Sequence, residues 1–203
     1  MLNHEDRAQA SGFKVIVGVD EAGRGPLAGP VVAAAVSLKR SQFSCPINDS
    51  KKMTALQRER AFHEIYENAY VGVGIINEVI IDTVNILNAT FLAMDNAIVD
   101  LLRKVPSNNK ANENVFLFID GHLFRSELPY SYETIIDGDA KVLSISCASI
   151  IAKVTRDRIL DTYDKVFPQY GFKQNKGYPT VAHKRAIKEH GLSMIHRRTF
   201  QHA

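Results

Sequence analysis

Two adjacent carboxylates, Asp20 and Glu21, directly follow an apolar run and precede a glycine–arginine–glycine triplet. Neighbouring side chains of a strand point to opposite faces, so the pattern predicts that one acid is buried or that the strand ends there. Two carboxylates close together repel each other and favour protonation or separation. We therefore expect a positive group near this pair, supplied by the protein or by a bound cation.

Two further acids stand in the same context, since Asp120 and Asp139 each follow an apolar, strand-like run. Ligands of α/β sheets gather at strand ends, and four carboxylates converge there only if a positive charge neutralises them. Mg²⁺ or Mn²⁺ fits better than zinc, because no His/Cys cluster accompanies the acids. The competing interpretation is that an aspartate after a strand is a turn or cap residue. Asp137 fits that interpretation, and Asp157 lies in a basic helical stretch.

The triplet of Gly23, Arg24 and Gly25 allows two interpretations. It is either a tight loop or a place where main-chain amides approach a ligand, which glycines permit because they lack Cβ. It is not a phosphate-binding P-loop, because the G-K-[ST] signature is missing, and it is not a dinucleotide-binding fingerprint. The residues of the triplet alone leave both interpretations open.

The elements that must position these residues follow from hydrophobic periodicity and turn signals. Apolar runs predict strands over residues 14–19, 30–38, 70–76, 115–119 and 132–136. Periodicity and capping signals predict helices over 53–69, 78–104 with a break near 83–85, 143–166, and from Pro179 to a C-cap at Gly191, with 107–114 as a loop. Strands followed by alternating helices indicate a three-layer α/β fold around a mixed sheet. Because no linker is evident, we expect one domain over residues 1–203.

The composition is that of an ordinary globular protein, with 45% apolar and 23% charged residues. No run approaches the length of a membrane helix. The N-terminus is polar and acidic, which is not typical of a signal peptide. The two cysteines, Cys45 and Cys147, are expected to be reduced, as in a cytoplasmic protein.

The C-terminal part, about residues 173–203, is strongly basic and is predicted to be helical. It holds seven Lys or Arg residues against one acid, whereas the whole chain carries a formal charge of only +3. Such an asymmetry favours a face that binds a polyanion. The alternative is a basic helix that is simply solvated.

Seven motifs, in order, resemble the ribonuclease HII family, the bacterial type 2 ribonucleases H. They span residues 17–200 and read D-E-A-G-R-G-P-L-A-G-P-V, N-D-S-K-K, F-I-D-G, G-D-A-K, C-A-S-I-I-A-K-V-T-R-D, N-K-G-Y and I-H-R-R-T-F. The resemblance implies a ribonuclease H-like fold and a metal-dependent endonuclease that hydrolyses the RNA strand of RNA–DNA hybrids. It also implies cleavage on the 5′ side of a single ribonucleotide in duplex DNA, leaving 3′-hydroxyl and 5′-phosphate ends.

The resemblance also implies roles for individual residues. The metal-binding and catalytic acids by motif position are Asp20, Glu21, Asp120 and Asp139. In the implied substrate-binding set, the triplet recognises the ribose 2′-hydroxyl and adjoining phosphate, and a tyrosine stacks on the neighbouring sugar. That set is Gly23, Arg24, Gly25, Lys51, Ser149, Lys153, Tyr178, His183 and Arg197. The implied cofactor is Mn²⁺ or Mg²⁺ in a two-metal mechanism.

The family's partners are RNA–DNA hybrids and ribonucleotide-containing duplex DNA, and we expect a cytoplasmic monomer. The sequence ends at Ala203, so we expect no sliding-clamp peptide there. Two alternatives remain: another nuclease of this fold class, such as a junction resolvase, and a non-catalytic nucleic-acid-binding domain. The first has no 2′-hydroxyl to recognise, and the second gives adjacent Asp20 and Glu21 no purpose.

Overall fold

A five-stranded mixed sheet forms the centre of the computed structural model, which describes residues 2–47, 50, 52–106 and 114–201. Its strand order is β3-β2-β1-β4-β5, with β1–β2 and β2–β3 antiparallel and β1–β4 and β4–β5 parallel. The strands are β1 (Val15–Ala22), β2 (Val31–Leu38), β3 (Ala69–Ile76), β4 (Val115–Asp120) and β5 (Ser131–Ile135). The predicted α/β class and mixed sheet are confirmed.

Helices cover both faces of the sheet. They are α1 (Asn3–Ala10), α2 (Ala55–Asn68), α3 (Glu78–Val84), α4 (Ile86–Lys104), α5 (Gly138–Lys141), α6 (Leu143–Val166), α7 (Phe172–Asn175) and α8 (Val181–His190), with a 3₁₀ turn at Pro168–Tyr170. One apolar core packs α4 against β1, β2 and β4, and a second packs α2 and α6 against the other face. No helix within the described ranges is long and apolar enough to cross a membrane.

Most helix boundaries follow the local signals. Helix α6 has the predicted bounds, and Thr54 and Gln57 form the predicted capping box of α2. The predicted break lies at Asn85, which adopts a φ of 68° and whose side chain caps α4. The prediction that α8 starts at Pro179 is wrong. The Thr180 hydroxyl accepts a hydrogen bond from the His183 amide, which makes Thr180 the N-cap. The predicted loop over 107–114 lies outside the described residues except for its last position.

Helix α6 starts directly against the central strand because β1 has a glycine there. A Cβ on Gly18 would lie 2.2 Å from the carbonyl carbon of Ser144 and 2.3 Å from the amide nitrogen of Ile145. Any side chain at this position would therefore push the first turn of α6 away from β1. The close approach brings α6 beside the strand two residues before Asp20.

The C-terminal part packs against the far end of α6. A third apolar cluster joins Leu160 of α6 to Leu27, which lies between β1 and β2. The same cluster contains Tyr170, Phe172 and Ile187 from the C-terminal helical segments. The basic C-terminal part is thereby fixed next to the glycine–arginine–glycine triplet.

Candidate active site

The adjacent acids lie within β1 and not after it. The strand continues to Ala22, because its antiparallel pairing with β2 extends to the Ala22–Val32 pair. Alternation along the strand buries Asp20, which is 5% exposed, while the Glu21 side chain is 14% exposed. Asp120 ends the parallel neighbour β4, one step beyond the Val19–Ile119 pair. Three of the four predicted acids therefore come from two adjacent central strands.

The electrostatics of this pair explain why it needs a positive partner. Burial raises the pKa of Asp20 well above its usual range, and the charges of Glu21 and Asp120 raise it further. Burial also raises the pKa of Glu21, although the Arg24 guanidinium, 3.3 Å from its carboxylate, opposes that shift. One arginine does not offset the negative charge concentrated here.

Asp139 lies close to the same end of the sheet, in the first turn of α5, and is 6% exposed. The amide of Gly138, its neighbour, donates a 2.7 Å hydrogen bond to Asp120 Oδ1, which ties α5 to the end of β4. Asp137 reverses the chain between β5 and α5 with a φ of 55°, so it is the turn residue that its sequence context predicts.

The acids fit a hard divalent cation in chemistry, although their present side-chain positions do not form a cage. Among the described residues, no three His, Cys, Asp or Glu side chains are arranged so that they could hold a metal ion. The observation that favours a cation is the buried Asp20 carboxyl, surrounded by two further carboxylates that raise its pKa. Oxygen donors of this kind are those that Mg²⁺ and Mn²⁺ prefer.

Replacing Asp20 by Asn is expected to raise the melting temperature of the metal-free protein at pH 8. The pKa of Asp20 is higher in the folded protein than in the unfolded chain. The protonated carboxyl therefore contributes its full share to folding stability below the unfolded-state pKa of about 3.9, and this stability is lost as pH rises through the folded-state pKa. The difference between variant and wild type should therefore shrink as pH falls towards 4. Thermal unfolding in EDTA at both pH values measures it, with the exposed Glu67→Gln as control. A variant that melts below wild type at pH 8 would contradict the expectation.

A groove of about 380 Å³ opens beside the acids and gathers most of the predicted site. The predicted residues that line it are Asp20, Glu21, Asp120, Gly23, Arg24, Gly25, Ser149, Lys153 and Tyr178. Ser149 and Lys153 come from α6, where Lys153 pairs with Asp157 at 2.8 Å. Tyr178 is 42% exposed, and a Cβ on Gly25 would lie 3.8 Å from its ring. The triplet and the tyrosine therefore form one wall.

The sequence analysis did not select Ser50, which also lines this groove. Its hydroxyl lies 2.9 Å from that of Ser149. The only sequence signal for it was its place within the N-D-S-K-K motif. Lys51, the residue predicted from that motif, lies outside the described residues.

A second, smaller groove lies on the other side of the acids. Glu21, Arg24 and Asp120 belong to both grooves. The walls of the second groove are Leu87, Thr90, Phe91, Met94, Gly121, His122 and Leu123. The acids therefore lie between two concave surfaces that share Glu21, Arg24 and Asp120.

Two predicted substrate-binding residues, His183 and Arg197, lie outside the groove. Both have 0% exposure, so the structure does not support direct contact with nucleic acid for either of them. The Arg197 guanidinium donates hydrogen bonds to four main-chain carbonyls of the loop that follows β1. The family resemblance placed both residues in the substrate-binding set by motif position, which does not reveal whether a side chain faces the groove or the interior.

His183 is part of a buried chain of hydrogen bonds that ends at Tyr178. The Ser193 amide donates to His196 Nδ1 at 2.9 Å, so His196 carries its proton on Nε2. That Nε2 lies 3.1 Å from His183 Nε2, which must then accept. His183 Nδ1 consequently donates to the Tyr178 carbonyl at 2.9 Å. We call this chain, from Ser193 through both imidazoles to Tyr178, the histidine relay.

Comparisons with known proteins show the family and the fold. The family model described as Ribonuclease HII matches residues 17–203. Ribonuclease HII of Acetivibrio thermocellus is 50% identical over 201 residues, covering 98% of this chain and 75% of that protein. The ribonuclease H2 structure from Pyrococcus horikoshii OT3 has a TM-score of 0.69 at 26% identity, covering 93% of this chain and 95% of that one.

A further solved structure, Bst-RNase HIII in complex with Mn²⁺, has a TM-score of 0.72 at 17% identity. It covers 96% of this chain and 70% of that one, and its likeness concerns the fold alone. Together with the Pyrococcus horikoshii structure, it confirms the predicted ribonuclease H-like fold class.

Proposed function

Because the chain belongs to the ribonuclease HII family, it is a metal-dependent endoribonuclease of RNA–DNA hybrids, and we propose that it also incises duplex DNA at single ribonucleotides. The cut falls on the 5′ side of the ribonucleotide and leaves 3′-hydroxyl and 5′-phosphate ends. The enzyme acts as a cytoplasmic monomer. The observation that carries this proposal is the groove in which Asp20, Glu21 and Asp120 share walls with the triplet and Tyr178.

The acids Asp20, Glu21, Asp120 and Asp139 would hold Mn²⁺ or Mg²⁺, with two ions in the proposed mechanism. When bound, such ions supply an activated water and stabilise charge on the leaving oxygen of an in-line displacement. The burial of Asp20 and Asp139 keeps their carboxylates fixed within the fold. Asp120 is held in turn by the amide of Gly138.

The groove wall supplies the recognition. Only a ribonucleotide offers a 2′-hydroxyl, which lets a protein tell RNA from DNA at a given site. The main chain at Gly23 and Gly25 admits the ribose closely, because neither residue has a side chain. Arg24 is half-exposed, and its planar guanidinium suits a phosphate oxygen. The Tyr178 ring offers a stacking surface for the next sugar.

The test is cleavage of a DNA duplex with one embedded ribonucleotide, beside an all-DNA duplex and an RNA–DNA hybrid of the same sequence. Each is incubated with Mn²⁺, with Mg²⁺ and with EDTA. We expect cuts in the first and third substrates, only with metal. Product ends are assigned by polymerase extension of the 3′-hydroxyl and ligation of the 5′-phosphate. Cleavage of the hybrid without incision of the single-ribonucleotide duplex would refute the proposal.

Neutralising Lys184, Arg185 and Lys188 on α8 together is expected to reduce the salt dependence of substrate binding. The slope in question is that of the logarithm of the binding constant against the logarithm of the salt concentration. Every phosphate that α8 no longer contacts reduces its magnitude by about 0.9, because fewer counterions are released on binding. Dissociation constants measured from about 50 to 200 mM salt provide the slope.

The control is the triple neutralisation of Lys14, Lys39 and Arg40, which removes the same charge. Lys14 precedes β1 and the other two follow β2, so this cluster lies at the opposite end of the sheet from the acids. An equal change of slope in both triple variants would show that only net charge matters.

A further inference from the structure

Two arginines with almost no exposed surface lie behind the loop that joins β1 to β2. Arg156, in α6, is 1% exposed, and Arg197, beyond α8, is 0% exposed. The loop, residues 23–30, reads G-R-G-P-L-A-G-P and contains the recognition triplet. Burying a guanidinium is costly unless its donors are satisfied, so two in one small region require an explanation.

The explanation lies in their hydrogen bonds, which go to main-chain carbonyls. Arg197 donates to four carbonyls of the loop and Arg156 to two, at 2.6 to 3.0 Å. The acceptors are Gly23, Arg24, Pro26 and Gly29 for Arg197, and Ala28 and Pro30 for Arg156. The remaining Arg156 nitrogen donates to the Lys176 carbonyl at 2.9 Å, two residues before Tyr178. Arg156 therefore connects the recognition loop to the segment that carries the stacking ring.

These contacts need arginine. A guanidinium offers five donors in a rigid planar fork, whereas a lysine offers one compact charge that cannot bridge carbonyls on several sides. Burial lowers the pKa of Arg156 to about 10 and that of Arg197 to about 9, so both stay charged at neutral pH. The fit is also close, because a Cβ on Gly23, whose φ is 99°, would lie 2.1 Å from Arg156 Nε.

The contacts determine where the amides of the triplet point. In a trans peptide the carbonyl and the following N–H point in opposite directions, and the described chain has no cis peptide bond. Arg197 holds the carbonyls of Gly23 and Arg24 towards the interior. The N–H groups of Arg24 and Gly25 must therefore point the other way, towards the groove that both residues line.

We propose that Arg156 and Arg197 are positioning residues which aim the Arg24 and Gly25 amides at the substrate, so that ribonucleotide recognition depends on two side chains that do not touch it. This inference rests on the proposed function. The simpler alternative is that both arginines only stabilise the fold. The two differ in whether activity changes while the protein is fully folded.

The experiment uses Arg197→Lys and Arg156→Lys, with Arg158→Lys as control. Arg158 lies on α6 two residues from Arg156, but it is exposed and pairs with Glu59. All activities are measured well below each variant's melting temperature. We expect Arg197→Lys to lower kcat/KM on the single-ribonucleotide duplex by roughly 10- to 100-fold, since a displacement of about 1 Å can have that effect. The Mn²⁺-induced rise in melting temperature should equal that of wild type, because the six loop carbonyls and the Lys176 carbonyl that accept from these arginines lie outside β1, β4 and α5, which carry the acids.

A cycle that combines Arg197→Lys with removal of the substrate's 2′-hydroxyl separates positioning from stability. Dissociation constants are measured in EDTA, so that no substrate is cut, for the single-ribonucleotide duplex and for the all-DNA duplex. If Arg197 acts through the amides that meet the ribonucleotide, Arg197→Lys should weaken binding of the first duplex clearly and of the second by about threefold or less, because coupled groups are not additive. Amide hydrogen exchange across residues 23–30 should be faster in both lysine variants than in the control. Full additivity, or exchange equal to that of the control, would overturn the proposal.

If the proposed function is wrong, the result differs from one in which only the positioning role is wrong. In the first case wild type leaves the single-ribonucleotide duplex intact, and hydrogen exchange alone decides whether the arginines hold the loop. If Arg197→Lys does not fold, Arg156→Lys carries the same measurements, since it affects only two of the six loop carbonyls.

Discussion

Asp120→Asn is expected to reduce cleavage of both RNA-containing substrates by about 10³-fold or more while the fold stays intact, and Asp20→Asn should behave alike. An amide has the shape of the carboxylate but neither its charge nor its affinity for a hard cation. Losing several kcal/mol of charge stabilisation in the transition state corresponds to about three powers of ten in rate. Asp20 and Asp120 lie on adjacent parallel strands, so either substitution removes a carboxylate ligand from the same group of acids.

The measurement is single-turnover cleavage at saturating Mn²⁺, with circular dichroism to confirm folding. The matched control is Asp137→Asn, because Asp137 is an exposed turn residue on the same segment as Asp139. Asn also tolerates its left-handed backbone conformation. Near wild-type turnover in either Asp20→Asn or Asp120→Asn would remove that residue from the catalytic set.

Tyr178→Ala is expected to lower kcat/KM at a single ribonucleotide by roughly 5- to 150-fold. That range corresponds to about 1–3 kcal/mol, the value of aromatic stacking on nucleic acid bases. The ring is exposed on the groove wall, against Gly25. Tyr178→Phe keeps the ring and loses the hydroxyl, so its effect should fall between wild type and Tyr178→Ala.

Both substrates must be compared at saturating Mn²⁺, because stacking beside the junction should matter most for a lone ribonucleotide. Tyr66→Ala is the control, since Tyr66 is 43% exposed and lies at the end of α2, near the edge of the sheet opposite the acids. Equal losses on the two substrates would make Tyr178 a general positioning residue. No loss on either would leave it a surface tyrosine.

Local signals predicted much of the fold. The apolar runs marked all five strands, and the periodicity of residues 143–166 gave α6 its bounds. The end of β1 was missed because it depends on pairing with β2, a partner that local sequence does not specify. Helix α1 was missed because a polar segment carries no apolar period.

The residues of the site could be predicted where the residue type itself indicates the chemistry. They could not be predicted where the role depends on which way a side chain points in the fold. Adjacent Asp20 and Glu21 indicate a functional site in any fold, because the two carboxylates repel each other. Arg197 and Arg198 look alike in sequence, yet the first is fully buried and the second exposed. Which of the two faces inwards is decided by the carbonyls of a loop some 170 positions earlier in the chain.

The histidine relay has a mechanical consequence. A chain of groups that conducts protons must be able to adopt both directions of its hydrogen bonds at similar free energy, so that each imidazole can pass on a proton and return to its first tautomer. Here the Ser193 amide, which can only donate, and the Tyr178 carbonyl, which can only accept, set the direction of the hydrogen bonds between them. The Ser193 hydroxyl, 2.8 Å from the same His196 Nδ1, then donates as well. The two imidazoles therefore tie Ser193 to the main chain of Tyr178 through hydrogen bonds of one fixed direction, and this arrangement does not suit proton conduction.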